Sequence, residues 1–186
     1  MHSKKALFLV VLSLAVASCS SGEKAANQSS AEGRVLGVQV DDVNRRFLSR
    51  DPSMSKFFDG AHGYALFPSV GKGGIGIGGA HGEGQVFEQR KLTGVATLSQ
   101  VTVGLQLGGQ EYSEVIFFKD KEAYDNFVGG NFELSAQASA VAAKAGAATT
   151  ADYENGVAIF TMTTAGLMFE ATVGGQKFEY IPIRND

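Results

Sequence analysis

The fold of this chain is restricted above all by a glycine-rich stretch, since eight of the fourteen residues at 71–84 are glycine. The whole chain of 186 residues holds 24 Gly and 3 Pro, so its bends rest on glycine. Glycine inside a strand marks a bend or a place where another backbone approaches closely. We therefore predict a glycine-rich hairpin over residues 71–84, whose small residues let a chain or a ligand approach closely.

The same stretch does not fit a phosphate-binding loop. In the Walker pattern, Leu66 stands where the first glycine is required, and Gly73 stands where Ser or Thr should follow Lys72. The dinucleotide fingerprint fails as well, because the segments after the glycines read as strands rather than as a crossover helix. The sequence therefore argues against nucleotide binding.

Two helices are indicated before the glycine-rich stretch. Apolar residues at spacings of four, three and four form one helical face: Leu36, Val40, Val43 and Phe47. The pair Asp51-Pro52 ends this helix, because a residue before proline avoids the helical region. A second short helix is predicted through Met54, Phe57 and Phe58, with its end near Gly60.

From Gly63 onward the apolar period changes to two, which predicts strands. Residues 64–67 read as a short strand that Pro68 stops. Residues 101–107 alternate apolar and polar, as a half-buried strand does. Residues 115–118 are uniformly apolar, as in a strand covered on both faces.

The remaining chain adds one helix and more strands. Asp120 is placed to cap a helix with Ala123, Tyr124 and Phe127, ended by the glycines at 129–130. Residues 132–140 alternate like a strand, although their alanine-rich end suits a helix equally well. A meander of strands is predicted at 157–163, 167–173 and 177–181, with a hairpin turn at the glycines 174–175. Together these elements predict an α+β fold: a strongly curved antiparallel β-sheet or small barrel with two to three packed helices.

Catalytic and metal-binding patterns are sparse. A single cysteine rules out a disulfide framework or a cysteine zinc cluster. His62 and His81 each adjoin a glycine and could share a metal only with a carboxylate such as Glu83. Acidic residues flank the apolar strand at 115–118 in the ordinary pattern of solvated strand ends: Glu111, Glu114 and Asp120. We predict a protein without catalytic activity, cofactor, metal or small-molecule substrate.

The N-terminus has the pattern of an export signal. Lys4 and Lys5 precede an apolar run at residues 6–17, which is well short of the roughly 20 residues of a spanning helix. The run ends in residues 16–19, Val-Ala-Ser-Cys, which resemble the bacterial lipoprotein signal in which the cysteine is acylated. Ser20, rather than Asp, resembles signals for the outer membrane. The alternative is an ordinary secretory signal beside an incidental Cys19.

These features predict three segments and an envelope location. They are a signal peptide (1–18), a lipidated flexible tether (19–32) and a globular domain (33–186). Removing residues 1–18 takes away two lysines and no acid, so the net charge changes from −3 to −5. That balance opposes general nucleic-acid binding, which requires a basic surface.

Four motifs in order resemble the SYLF domain, a lipid-binding module of bacterial lipoproteins and of eukaryotic actin-regulating, phosphoinositide-binding proteins. They lie at residues 63–74, in the glycines to Gly84, at 104–108 with 112–118 after them, and at 160–171 with the glycines 174–175. The resemblance covers roughly residues 35–182. Two departures are residues 91–94, where the family usually has Trp-Ser, and residues 143–146, where it usually has Gly-Pro.

The resemblance implies phospholipid binding at a membrane, without catalysis, through anionic, phosphoinositide-like headgroups. Eight basic residues are candidates for headgroup contacts, with Cys19 as the lipid anchor: Lys72, Arg90, Lys91, Lys119, Lys121, Arg45, Arg46 and Arg50. Each could instead be an ordinary solvated charge. A second reading is a structural or adhesive surface lipoprotein that binds a protein partner or a host component.

Overall fold

The computed structural model describes residues 20–130, 133–134 and 141–183. For residues 20–30, 133–134 and 167–174 it describes the backbone alone. The predicted signal peptide and Cys19, and most of the ambiguous segment 132–140, lie outside the described residues. The chain divides into two units between Gly33 and Arg34, and the sheet and both cores belong to the unit Arg34–Asp186.

The described chain forms four α-helices, one short 3-10 helix and five strands. The helices are α1 (Ser20–Arg50), the 3-10 helix (Pro52–Met54), α2 (Ser55–Gly60), α3 (Lys121–Val128) and α4 (Ala147–Thr150). The strands are β1 (Gly63–Glu88), β2 (Lys91–Phe118), β3 (Glu133–Leu134), β4 (Val141–Ala142) and β5 (Val157–Pro182). The three long strands are antiparallel in the order β1-β2-β5, while β3 and β4 pair with β5, and the sheet is open. The predicted α+β class is confirmed.

Helix α1 buries the predicted apolar stripe. Val40, Val43 and Phe47 are buried, and Leu36 packs at their margin. The helix ends at Arg50, and the 3-10 helix and α2 that follow end at Gly60, so both predicted ends are confirmed. The backbone of residues 20–32 is helical, whereas we predicted a flexible tether. Ala, Glu, Lys and Gln residues there are good helix formers, which accounts for the difference.

The predicted breaks within the long strands were wrong. Strand β1 continues past Pro68 with a register irregularity between Phe67 and Val70. Proline is tolerated there because β1 lies at the sheet edge, where a backbone N–H need not pair. The glycine-rich stretch 71–84 is part of β1 and not a hairpin, and the glycines 174–175 lie inside β5, paired with β2.

The actual hairpin turn joins β1 to β2 through two left-handed residues. Gln89 has a φ of 46° and Arg90 a φ of 66°. Positive φ at both central residues matches the right-handed twist of paired strands, although Asn and Gly are the usual residues. Neither Gln nor Arg is typical of such a turn, so this turn could not be predicted from its residue types.

The glycines bend the sheet strongly. Gly76 has a φ of 73° beside a register shift between Ile75 and Ile77. A Cβ at Gly82 would lie 2.7 Å from the carbonyl oxygen of Ser69, and one at Gly84 would lie 2.6 Å from that of Leu66. The two halves of β1 therefore close on each other, which confirms the predicted strong curvature.

Two cores occupy the two faces of this curved sheet. The inner core lies within the curve and is closed by α3, and its members include Phe67, Leu98, Phe118, Phe127 and Phe178. The outer core lies between the opposite face and α1, α2 and α4, and includes Phe47, Met54, Phe57, Phe117 and Phe160. Residues 115–118 are buried on both faces, as predicted. The cap of α3 is also confirmed, because the Asp120 carboxylate accepts a hydrogen bond from the backbone N–H of Ala123 at 3.0 Å.

Candidate functional site

Three of the eight candidate cations lie on the solvent side of α1. Arg45, Arg46 and Arg50 are exposed, and the buried stripe of the helix faces the outer core. The Arg45 guanidinium lies 3.4 Å from the carboxylate of Asp42, one turn earlier in α1. Among the described residues, Arg46 and Arg50 form no ion pair. This surface is called the arginine face below.

Other candidates lie at the β1–β2 turn and around α3, and acids neutralise two of them. Arg90 pairs with Asp59 of α2 at 2.7 Å, and Lys121 pairs with Asp125 at 2.6 Å. The hydrogen bond from Lys121 to Asp125 raises the pKa of the lysine. Lys91 and Lys119 are exposed. The eight cations are therefore spread over several elements, and the three of the arginine face share one helix.

The turn at Arg90 and helix α1 approach the same aromatic side chain. Burial raises the pKa of Tyr64, the charge of Asp41 raises it further, and the charge of Arg90 opposes both. The Tyr64 ring stacks on Phe87, with ring centroids 4.7 Å apart. This end of the domain therefore carries both acidic and basic groups close to the stacked rings of Tyr64 and Phe87.

Lys72 lies apart from the other cations, at a polar cavity of about 210 Å³ on the inner face of the sheet. The cavity is lined by groups from all three long strands, among them Gln110, Tyr112, Glu114, Thr163 and Gln176. Gln110 donates a hydrogen bond to the Thr163 hydroxyl at 2.9 Å. Half-buried Lys72 contributes the cavity's positive charge.

Glu114 is fully buried at this cavity, so its predicted place at a solvated strand end was wrong. The even-numbered face of β2 turns toward the inner core at this position, on the concave side of the curved sheet. Burial raises the pKa of Glu114 to about 7, although a hydrogen bond from Gln176 at 3.1 Å and the charge of Lys72 act in the opposite direction. Among the described residues, Glu114 Oε1 and Gln176 Oε1 have no hydrogen-bond partner. The site is a polar pocket rather than a nucleophile with an activating base.

The bend itself reverses the burial expected from its residue types. Thr102 and Gln106 are buried, and the Thr102 hydroxyl donates to Gln106 Oε1 at 2.8 Å while Gln106 Nε2 donates to the Thr102 carbonyl at 3.2 Å. Six large aliphatic side chains lie on the outside instead: Ile75, Ile77, Val101, Val103, Leu105 and Leu107. We call this set the apolar face. The half-buried strand at 101–107 is thus confirmed, but its polar side is the buried one.

The tight inner side of the bend explains this reversal. A Cβ at Gly78 would collide with the Gln106 side chain, and Gly104 and Gly108 have φ values of 146° and 121°. The inner side of the bend therefore holds glycines and the side chains of Thr102 and Gln106, which form hydrogen bonds with each other. Alternation alone does not reveal which side of a bent strand is closed, so sequence reasoning missed the apolar face.

The two histidines examined as metal ligands lie apart. His62 Nε2 lies 2.9 Å from the carboxylate of Glu88, whereas His81 is exposed on β1 opposite Ser99. In the part of the chain that the structure describes, no three His, Cys, Asp or Glu side chains are grouped as a metal site requires. None of the helices described is both long and apolar enough to cross a membrane.

Comparisons with known proteins agree with the sequence motifs. Residues 99–180 match the family model Ysc84, described as "Las17-binding protein actin regulator". The chain is also 32% identical over 154 residues to beta cell expansion factor A of Aeromonas veronii, a match that covers 81% of this chain and 58% of that relative. The chain therefore spans somewhat more than half the length of this relative. The matched segment contains most of β2 and nearly all of β5, and we conclude that the chain belongs to the SYLF (Ysc84) domain family.

Proposed function

We propose that this protein is a non-catalytic lipoprotein that is anchored in the envelope through Cys19 and binds anionic phospholipid headgroups through its SYLF domain. The observation that carries the proposal is membership of a family associated with lipid binding. The exposed cations of α1 supply a chemistry for anionic headgroups. The pattern of residues 1–19 supports the proposed anchor, and a domain anchored in this way would lie beside a membrane.

The arginine face is the part of the domain best suited to headgroups. Arg90 and Lys121 are offset by acids at 2.7 and 2.6 Å, which reduces their attraction for a phosphate. Arg46 and Arg50 have no such ion pair among the described residues, and Arg45 has only a long one. A cation near an anionic bilayer contributes about 1 kcal/mol, so three arginines give roughly 3 kcal/mol. Binding of this strength would not hold the protein at a membrane by itself. It can orient a domain that the lipid anchor already keeps beside the membrane.

Vesicle sedimentation with matched variants tests this assignment. The protein is residues 20–186, and the vesicles contain phosphatidylglycerol and phosphatidylcholine in equal parts. Replacing Arg45, Arg46 and Arg50 by Ala removes three charges from α1, while the control replaces Lys72, Arg90 and Lys91. We expect the first variant to lose most of its binding and the control to keep most of its own. If the control variant loses most of its binding and the α1 variant keeps it, the headgroup site lies at the β1–β2 turn and the polar cavity instead.

The name of the relative supports a second candidate function. "Beta cell expansion factor" denotes an effect on animal cells, which favours the reading of a surface or released protein that acts on a host component. The chain spans only 58% of that relative, so this activity is a proposal for the present chain. A folded sample that binds no vesicle yet binds host cells would favour this alternative.

A further inference from the structure

The apolar face is the largest departure of this domain from an ordinary soluble surface. Its six side chains are each more than three-fifths exposed, with Ile75 at 79% and Leu105 at 71%. Single exposed aliphatic residues are common, whereas a contiguous set of this kind marks an interaction site. The residues are neighbours on the outer side of paired strands, since Ile75 pairs with Leu107 and Ile77 with Val103.

The strands that carry this face are free of charge over a long stretch. Residues 73–80 of β1 and residues 92–110 of β2 contain no Asp, Glu, Lys or Arg. The first charged residues beyond these segments are Lys72 and Glu83 in β1, and Lys91 and Glu111 in β2. The β5 positions paired with Val101, Val103, Leu105 and Leu107 are Gly175, Val173, Ala171 and Phe169, all of them uncharged. An uncharged region is what a hydrocarbon environment requires, because charges there are costly.

The backbone of the bend also suits a surface that leaves water. Strand β2 pairs with β5 without interruption over residues 101–107. Backbone groups in lipid must be satisfied within the protein, and pairing with β5 does this along one side of β2, whereas the pairing of β2 with the edge strand β1 skips residues 104–106 opposite Gly76. The polar groups of Thr102 and Gln106 are turned inward and bond to each other, so they add no polar surface to the apolar face.

A second copy of the chain is a poorer fit to this face. At the usual area per buried aliphatic side chain, the six exposed side chains present on the order of 400 Å². A stable protein interface takes about 800 Å² from each partner. The residues that contribute most to a protein interface are usually Trp, Tyr and Arg, whereas the six residues of the apolar face are Ile, Val and Leu.

We infer that the apolar face inserts into the acyl-chain region of a phospholipid bilayer and orients the SYLF domain with its sheet bend toward the membrane. The insertion is shallow, at the depth of about 5–10 Å that interfacial apolar surfaces reach. This inference rests on the proposed lipid binding and adds a contact that is independent of headgroup charge. It therefore predicts a part of the binding that high salt does not remove.

Tryptophan fluorescence tests the inference cleanly, because the chain contains no tryptophan. Leu105→Trp places one fluorophore on the apolar face, and Ile181→Trp places a matched one at an exposed position of β5 outside this face. With vesicles of phosphatidylglycerol and phosphatidylcholine in equal parts, we expect the emission of the first variant to shift to shorter wavelength. Phosphatidylcholine brominated on its acyl chains should quench that emission. The second variant should show neither effect.

A charge placed on the apolar face gives a second readout. The double substitution Val103→Asp and Leu105→Asp should weaken vesicle binding about tenfold or more, whereas Ile181→Asp should change it by less than about twofold. Thermal melting of each variant establishes that it is folded.

If the protein sediments with vesicles but the emission from position 105 does not shift, the insertion is wrong and headgroup binding stands. If no variant and no wild-type protein binds vesicles, the proposed function fails together with this inference. A shift that follows protein concentration without lipid would instead assign the face to a second copy.

Discussion

The carboxylate of Asp51 accepts a hydrogen bond from the backbone N–H of Ala148 at 2.8 Å, although the two residues are 97 positions apart in the chain. The same carboxylate accepts from the Gly146 N–H at 3.2 Å and from the N–H and hydroxyl of Ser53 at 3.1 and 2.6 Å. Burial acts to raise the pKa of Asp51, but these hydrogen bonds outweigh it and hold the pKa below its ordinary value. An ionised carboxylate thus joins the end of α1 to the start of α4.

Replacing Asp51 by Ala should destabilise the domain strongly. The change leaves the N–H groups of Gly146 and Ala148 without their partner, and the expected loss is about 2–4 kcal/mol in the free energy of unfolding. Urea denaturation followed by circular dichroism measures this loss. Asp42→Ala, which removes an exposed carboxylate of α1, is the control and should cost less than about 0.5 kcal/mol. A cost that is equal for Asp51→Ala and Asp42→Ala would show that the link to α4 contributes nothing.

Because the pKa of Asp51 is lowered in the fold, its stabilisation exists at neutral pH and is lost as the pH falls through that lowered pKa.

Glu114 should give the domain the opposite pH dependence. Its pKa rises from 4.5 to about 7 on folding, so the folded state holds a proton that the unfolded state releases between these values. The stabilising effect is fully present below the unfolded pKa and is lost as the pH rises through about 7. Glu114→Gln imitates the protonated form. It should therefore match the wild type near pH 5 and be more stable near pH 8, by up to a few kcal/mol.

Denaturation of the wild type and Glu114→Gln at both pH values measures this difference. Glu111→Gln, at an exposed position of the same strand, serves as the control and should show no such divergence. If the wild type and Glu114→Gln respond to pH in parallel, Glu114 is ionised at neutral pH in the folded state.

Gly104→Val should destabilise the bend. Gly104 has a φ of 146°, a region that a β-branched residue adopts only with strain, so the expected cost is about 1–3 kcal/mol. Gly71 has ordinary φ, and a Cβ there would meet nothing within 4 Å. Gly71→Val is therefore a matched control with an expected cost below about 0.5 kcal/mol. Thermal melting of the two variants compares them, and equal melting temperatures would contradict the role of Gly104.

Cys19→Ala should release the protein from its membrane anchor. Burial of acyl chains contributes about 0.8 kcal/mol per CH₂ group, so loss of the lipid removes the main attachment. Cell fractionation should then place the variant outside the detergent-extracted envelope, as precursor or as soluble material. Labelled fatty acid should be incorporated by the wild type and not by the variant. An unchanged distribution with no labelling of either protein would favour an ordinary secretory signal beside an incidental cysteine.

Much of the fold followed from local patterns in the sequence. The buried stripe of α1, the end of that helix at Asp51-Pro52 and the Asp120 cap each depend on residues within a few positions of one another. Such signals are readable because capping and amphipathic periodicity are short-range physics. The uniformly apolar residues 115–118 likewise predicted burial on two faces.

The continuous strands and the exposed apolar face could not be predicted in the same way. Glycine signals both a turn and a close approach, and only the pairing of Gly174 with Thr102 shows that it lies inside a strand. A period of two predicts a strand without stating which side is closed, so Leu105 was not recognised as exposed. Glu114 has the sequence context of a solvated strand end, and its burial follows from the curvature of the whole sheet. These features depend on contacts between distant residues.

The central claim, that the domain binds lipid without its anchor, is tested most directly by the binding of residues 20–186 to vesicles of different charge. Precursor processing at Cys19 would leave a chain with a net charge of −5, so attraction to an anionic surface must come from a local group of cations. We predict weak binding to phosphatidylglycerol-containing vesicles that exceeds binding to pure phosphatidylcholine and decreases at high salt. A folded, monodisperse sample that binds neither kind of vesicle at low salt would contradict the account.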